Sequence, residues 1–187
     1  WEGIAADENT YDLTLLVDSE EPLQLRAVFE SYVHPLAGKV IFNEVSPHSK
    51  ESGDWVEIYN NSDELVDLEG WVFSDIKHEF VMPALTLPAE GYLILCQDSM
   101  AFKKVYPGVG PILGNFNFGL GKRREHLALY TNDGASIDSV GYGVEPLDTT
   151  FSLTLLLPHL NNQDPENWET LPGPGTPSAP NPYYLES

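Results

Sequence analysis

Apolar and polar residues alternate with a period of two along much of the chain, as strands with one buried face require. After HPLAG at 34–38, short runs of this kind recur with turn residues between them. They predict strands near 39–45, 55–60, 65–73, 79–82, 91–97, 126–130, 135–142 and 151–156. Only DSMAFKKVY at 98–106 reads as helix. Asp98 or Ser99 suits its cap, Lys103 and Lys104 suit its carboxyl end, and Pro107 stops it. The Gly- and Pro-rich stretch that follows predicts a long ordered loop, and PGPGTPSAPNPYYLES at 172–187 an extended linker.

Upstream, Leu13, Leu15 and Val17 alternate, and Leu23, Leu25, Ala27 and Phe29 alternate again after the turn SEEP. That pattern predicts a β-hairpin, and two strands alone are marginal in water. Residues 1–36 are therefore assigned to a separate, partial unit, 37–180 to an all-β sandwich, and 181–187 to a tail.

Each of the runs IFNEV and WVEIYN carries one glutamate at its centre, Glu44 and Glu57. In the second run Val56 and Ile58 point to one face, and Trp55, Glu57 and Tyr59 to the other. Asn60, Asn61, Ser62 and Asp63 form a turn, because short polar side chains bond their own backbone. Gly70 before Trp71 allows a bulge or the close approach of another strand. Two carboxylates on neighbouring strands lie roughly 5–10 Å apart, a spacing that glycosidases use. A catalytic pair also needs a cleft and a raised pKa on one member. The sequence points to no cleft, so the favoured reading makes both glutamates hydrogen-bond acceptors that serve the fold.

Charge changes the picture next. Nine basic residues stand against 29 acidic ones, a net charge of −20. Such a chain repels polyanions, which argues against nucleic acid as a partner. The charge also fits a place outside the cell or at its surface. The chain begins at Trp1 without a charged-then-apolar leader, and reads as a piece of something longer. Its longest apolar run, near Leu153–Leu157, is too short to insert in a bilayer. The single Cys96 excludes an internal disulfide framework and a Cys-based zinc site.

Asp54, Asp63 and Asp67, with Glu64 and Asp75 nearby, are the calcium candidates, although the D-x-D-x-D-G spacing is absent. Solvated acids are the plainer reading, and no cofactor is expected. His34, His48, His78, His126 and His159 are scattered, with no i, i+4 pair. No G-x-S-x-G elbow or phosphate-binding glycine loop is present. Lys122, Arg123 and Arg124 form the basic cluster, which either pairs with the chain's own carboxylates or contacts an acidic partner. Phe116, Phe118, Tyr106, Tyr142, Tyr183 and Tyr184 either anchor loops or offer a platform for sugars.

VIFNEV, DWVEIYNNSDELVDLEGWVFSD, LPAEGYLIL, HLALYTNDGASIDSVGYG, NWE and GTPSAPN occur in that order. Together they resemble the lamin tail domain family across 39–181. The resemblance implies an immunoglobulin-like antiparallel β-sandwich. It also implies structural roles for Asn43, Glu44, Trp55, Glu57, Asn60, Leu68, Gly70 and Trp71. Helix 98–106 and the closing GTPSAPN are similar to the bacterial branch, whose members occur in secreted or surface multidomain proteins. One departure is GLGKRREHLAL, where the family shows a polar N-x-G-E turn. The preceding W-x-G, L-x-L-x-V and L-x-A-x-F pattern resembles the end of an internalin-type β-repeat.

The expected function is thus a non-catalytic interaction or spacer module. Its partners would be neighbouring domains of the same polypeptide, or a protein or glycan ligand. The alternatives are a glycan-binding module, with or without calcium, and a hydrolase using Glu44 and Glu57.

Overall fold

The computed structural model describes residues 32–47, 49–143 and 150–182. The chain divides into two units between Tyr32 and Val33. The hairpin expected before that point lies outside the described residues. The division falls ahead of the expected 36/37 boundary. Leu36 already packs against the main core, and the Gly38 N–H donates to Ile137 O at 3.0 Å.

Among the described residues, twelve strands and one α-helix follow in chain order, with a single 3-10 turn at Pro165–Asn167. They are β1 (Val40–Ser46), β2 (Trp55–Asn60), β3 (Val66–Asp67), β4 (Val72–Ser74), β5 (Glu79–Val81), β6 (Thr86–Leu87) and β7 (Tyr92–Cys96). Helix α1 (Ser99–Val105) precedes β8 (Ile112–Leu113), β9 (Arg124–Tyr130), β10 (Ser136–Gly143), β11 (Phe151–Leu155) and β12 (Trp168–Pro172). A six-stranded sheet runs β12-β11-β1-β2-β7-β8, a four-stranded sheet runs β10-β9-β4-β5, and β3 pairs with β6. This is an immunoglobulin-like β-sandwich.

The main core lies between the two larger sheets. Phe42, Val56, Ile58, Leu93, Leu95 and Leu153 come from one side, and Phe73, Leu127, Leu129 and Val140 from the other. These positions alternate along their strands as the period-two pattern demands. A second cluster forms on the outer face of the larger sheet, where Trp55, Ile94 and Cys96 meet Phe102 of α1. The Asp98 side chain caps α1 by accepting from Met100 N and Ala101 N, at 3.0 and 2.9 Å. Phe102 and Tyr106 then pack edge-on to Trp55, with centroids at 5.8 and 6.1 Å. Trp71 belongs to the main core, so the two tryptophans of the motif serve different clusters.

Four expectations need correction. The strand expected over 65–73 is broken into β3 and β4. Gly70 between them has φ +76°, and a Cβ there would stand 2.9 Å from Asn132 Cβ, in the turn between β9 and β10. The glycine therefore serves a turn and a close approach together. Second, β8 lies inside the supposed loop and pairs with β7 in parallel, so the sandwich is not wholly antiparallel. Third, β12 extends the larger sheet by pairing with β11. Fourth, residues 173–181 are not a linker, and Asn181 is fully buried within the domain rather than in a tail.

Candidate functional site

The glutamate pair begins with an irregular strand. Val40, Phe42 and Val45 all face the main core. Strict alternation from Val40 and Phe42 would aim residue 44 inward. A register shift against β2 between Phe42 and Glu44 inserts one extra residue and turns Glu44 to the outer face. Glu44 then lies directly opposite Glu57 on β2. Facing residues of an antiparallel pair have Cβ atoms about 4.5–5.5 Å apart, so the bulge creates a neighbouring acid pair. The simple alternation read from IFNEV misses this.

Both glutamates are fully buried. The roof over them is the chain after β12. The Thr176 N–H donates to Glu44 Oε2 at 3.0 Å and to Oε1 at 3.2 Å. The Ser178 N–H donates to Glu57 Oε2 at 2.5 Å, and Asn43 Nδ2 to Glu57 Oε1 at 2.8 Å. Asn181 pins the end of this strap, with its Nδ2 donating to Leu155 O at 2.8 Å and Asn43 O at 3.1 Å. On the helix side, Tyr106 OH donates to Pro174 O.

Burial dominates the electrostatics. It pushes Glu57 up to about 8, against the lowering effect of the Ser178 and Asn43 hydrogen bonds, and the charge on Glu44 adds to the rise. Glu44 is raised for the same main reason, with Ser152, Thr176 and Thr154 opposing. A raised carboxyl is a property of general acids, but access is missing here. Three surface clefts border His34 and Trp71, Lys77 and Arg124, or His159 and Asn162, and neither glutamate lines any of them.

Asp138 is a second buried carboxylate that sequence reasoning did not single out. Its Oδ2 accepts from Phe42 N at 2.7 Å and from Asn162 Nδ2 at 2.6 Å. Burial pushes it up to about 6. It occupies the gap where β1 has left its regular pairing with β11.

The remaining motif residues have distinct places. Leu68 is in the main core. Asn60 is fully buried, with Nδ2 donating to Glu64 O, Pro88 O and Leu87 O at 2.8, 2.9 and 3.2 Å. Its Oδ1 accepts from the Ser62 N–H at 3.2 Å. Asn60→Ala leaves these carbonyls without their donor. It is expected to cost about 1–3 kcal/mol in urea unfolding.

The calcium candidates are not brought together. Asp54 Oδ2 accepts from Leu120 N at 2.8 Å and ties down the glycine-rich loop. Asp67 Oδ1 accepts from Glu69 N at 3.0 Å, while Asp63 is exposed. Among the described residues no three His, Cys, Asp or Glu side chains converge as a metal site. Phe116 and Phe118 are buried in the main core, so they offer no platform to a sugar. Tyr142 OH donates to Gly121 O at 2.8 Å, whereas Tyr183 and Tyr184 lie outside the described residues. Lys122, Arg123 and Arg124 are exposed at the start of β9, without an ion-pair partner among the described residues.

A β-sandwich whose acid pair is roofed by its own backbone amides has the character of an immunoglobulin-like module. The family model described as Lamin Tail Domain matches residues 35–144, and the chain belongs to that family. No curated protein matches the chain. Strands β11 and β12 and the strap lie beyond the matched residues, yet they complete the larger sheet and cover the pair.

Proposed function

We propose that the chain is a non-catalytic interaction or spacer module of a bacterial secreted or cell-surface multidomain protein. It would orient or dock neighbouring domains, with the end of an internalin-type repeat ahead of it. The observation that carries this reading is the roof over Glu44 and Glu57. Their acceptor positions are occupied by Thr176, Ser178 and Asn43, which leaves no face for a substrate. Membership of the lamin tail domain family supports the same conclusion.

The test is an activity screen of the wild type and Glu57→Gln against a panel of oligosaccharides. Both are expected to release no product. Turnover in the wild type that Glu57→Gln abolishes would overturn the reading in favour of a two-carboxylate hydrolase.

A further inference from the structure

Four of the nine basic residues, Lys77, Lys122, Arg123 and Arg124, gather at one end of the four-stranded sheet. All four are exposed, and none has an ion-pair partner among the described residues. No described lysine or arginine forms an ion pair with another described residue, so what sets these four apart in a chain of net charge −20 is that they lie together. Lys77 and Arg124 line an open cleft of about 520 Å³ with Ile76, Gly119, Gly121 and Glu125. Two acids of this region are already occupied. Asp75 Oδ1 accepts from Lys77 N and His78 N, both at 2.6 Å, and Glu125 Oε2 accepts from Gly121 N at 3.2 Å.

The cleft adjoins an open edge. Among the described residues, strand β5 is the last of its sheet, paired with β4 alone. The Asp75 N–H donates to His78 O at 3.1 Å and the Met82 N–H to Trp71 O at 2.8 Å. Alternation therefore turns His78, Phe80 and Met82 towards β4, and leaves the N–H and C=O of Glu79 and Val81 facing outward. Apolar side chains flank this edge, with Val81 exposed at 61% and Ile76 at 76%. The turn before β5 is held by Asp75, and His78 stacks on Phe118 with centroids at 5.3 Å. The edge is therefore preorganised rather than frayed.

We propose that β5 docks an extended acidic segment of a partner protein. The segment adds to the sheet as a further strand, sets an apolar side chain beside Val81, and places carboxylates on Lys77 and Lys122–Arg124. Main-chain hydrogen bonds supply affinity in this mode, and side chains supply selection. Charge complementarity selects the partner, because the four clustered cations, none in an ion pair with a described residue, attract carboxylates and would repel a basic segment. Glu79, within β5, adds to that selection by requiring an apolar or neutral residue opposite it. This inference rests on the module reading above and names the surface through which the module works.

The test uses the full chain and a fluorescein-labelled peptide of alternating Glu and Val, with a Lys–Val peptide as control. Fluorescence anisotropy is expected to rise saturably with the acidic peptide alone, and binding should weaken as salt is raised. Reversal of the cluster by K122E, R123E and R124E together is expected to weaken binding about tenfold. Val81→Pro removes an outward N–H without touching the ladder to β4, and should abolish binding. Should Val81→Pro fail to fold, Val81→Glu keeps every backbone group and is expected to weaken binding several-fold.

Absence of acidic-peptide binding, or binding indifferent to both Val81 variants, would overturn the proposal. Preference for the basic peptide would do the same. Self-association abolished by Val81→Pro would also overturn it, by assigning the edge to a second copy. Failure here leaves the module reading standing. Hydrolysis in the oligosaccharide screen would remove that reading whatever the peptide does.

Discussion

Gly175→Ala is expected to destabilise the domain by about 4–6 kcal/mol and to lift the strap from the glutamate pair. Gly175 has φ +81°, where an L-residue is strained by about 1–2 kcal/mol. A Cβ at this position would overlap Glu44 Oε1 and stand 3.0 Å from Trp55 Cζ2. Neither neighbour has room to retreat, because Glu44 and Trp55 are both fully buried. The strap must move instead, which breaks the Thr176 and Ser178 amide bonds to the two carboxylates. Each buried acceptor left unsatisfied costs about 1–3 kcal/mol.

Gly134→Ala is the matched control. Its φ is +84°, but nothing lies within 4 Å of the added methyl group. Only backbone strain remains, so the loss should be about 1–2 kcal/mol. Urea unfolding compares the two variants, and hydrogen exchange at Thr176 and Ser178 reports the strap directly. Equal losses would mean that the strap is not clamped on the pair.

This strap also marks where sequence reasoning stopped. The strands that carry the core were legible because a buried face imposes a period of two, as in WVEIYN and GYLIL. Asn60 was legible as a turn residue and Gly70 as a point of close approach, although the turn at Gly70 that breaks the strand was not. Glu44 was visible but its side of the sheet was not. That depends on one extra residue in β1, and a bulge leaves only the three-residue step from Phe42 to Val45 as its trace.

The roof was misread for a different reason. PGPGTPSAPN has a linker's composition, and nothing in composition says that two of its amides will meet buried carboxylates more than a hundred residues away in sequence. Gly175 was the one local signal, as a glycine flanked by Pro174 and Thr176 where the chain must approach Trp55 closely. Asp138 was hidden among 29 acids, because its role exists only through Phe42 and Asn162.

The domain is expected to be most stable in mildly acidic solution and to lose several kcal/mol as pH rises to about 9. The ordinary value for a glutamate in the unfolded chain is 4.5, and burial lifts Glu57 to about 8 in the folded domain. Between those values the folded state holds a proton that the unfolded state has released. Stability therefore falls with rising pH across that window. The contribution is fully present below 4.5 and lost as pH passes through about 8. At 1.36 kcal/mol per pKa unit, the difference amounts to about 5 kcal/mol at most.

Asp138 acts in the same direction over a lower window, from 3.8 to about 6. Asp75 opposes below it. Its pKa is lowered, because hydrogen bonds from His78 and Lys77 outweigh burial, so acidification below 3.8 destabilises the fold. The maximum must lie between these limits. Glu57→Gln separates the pair from the general repulsion of a chain of net charge −20, because it removes one titration and leaves the rest. It keeps a neutral side chain of the same size, so at pH 5 it should resemble the wild type within about 1–2 kcal/mol. At pH 8.5 it should be the more stable of the two. Urea unfolding of both proteins at the two pH values measures this. A wild type that gains stability from pH 5 to 8.5, with Glu57→Gln weaker throughout, would show that the strap amides hold both glutamates ionised.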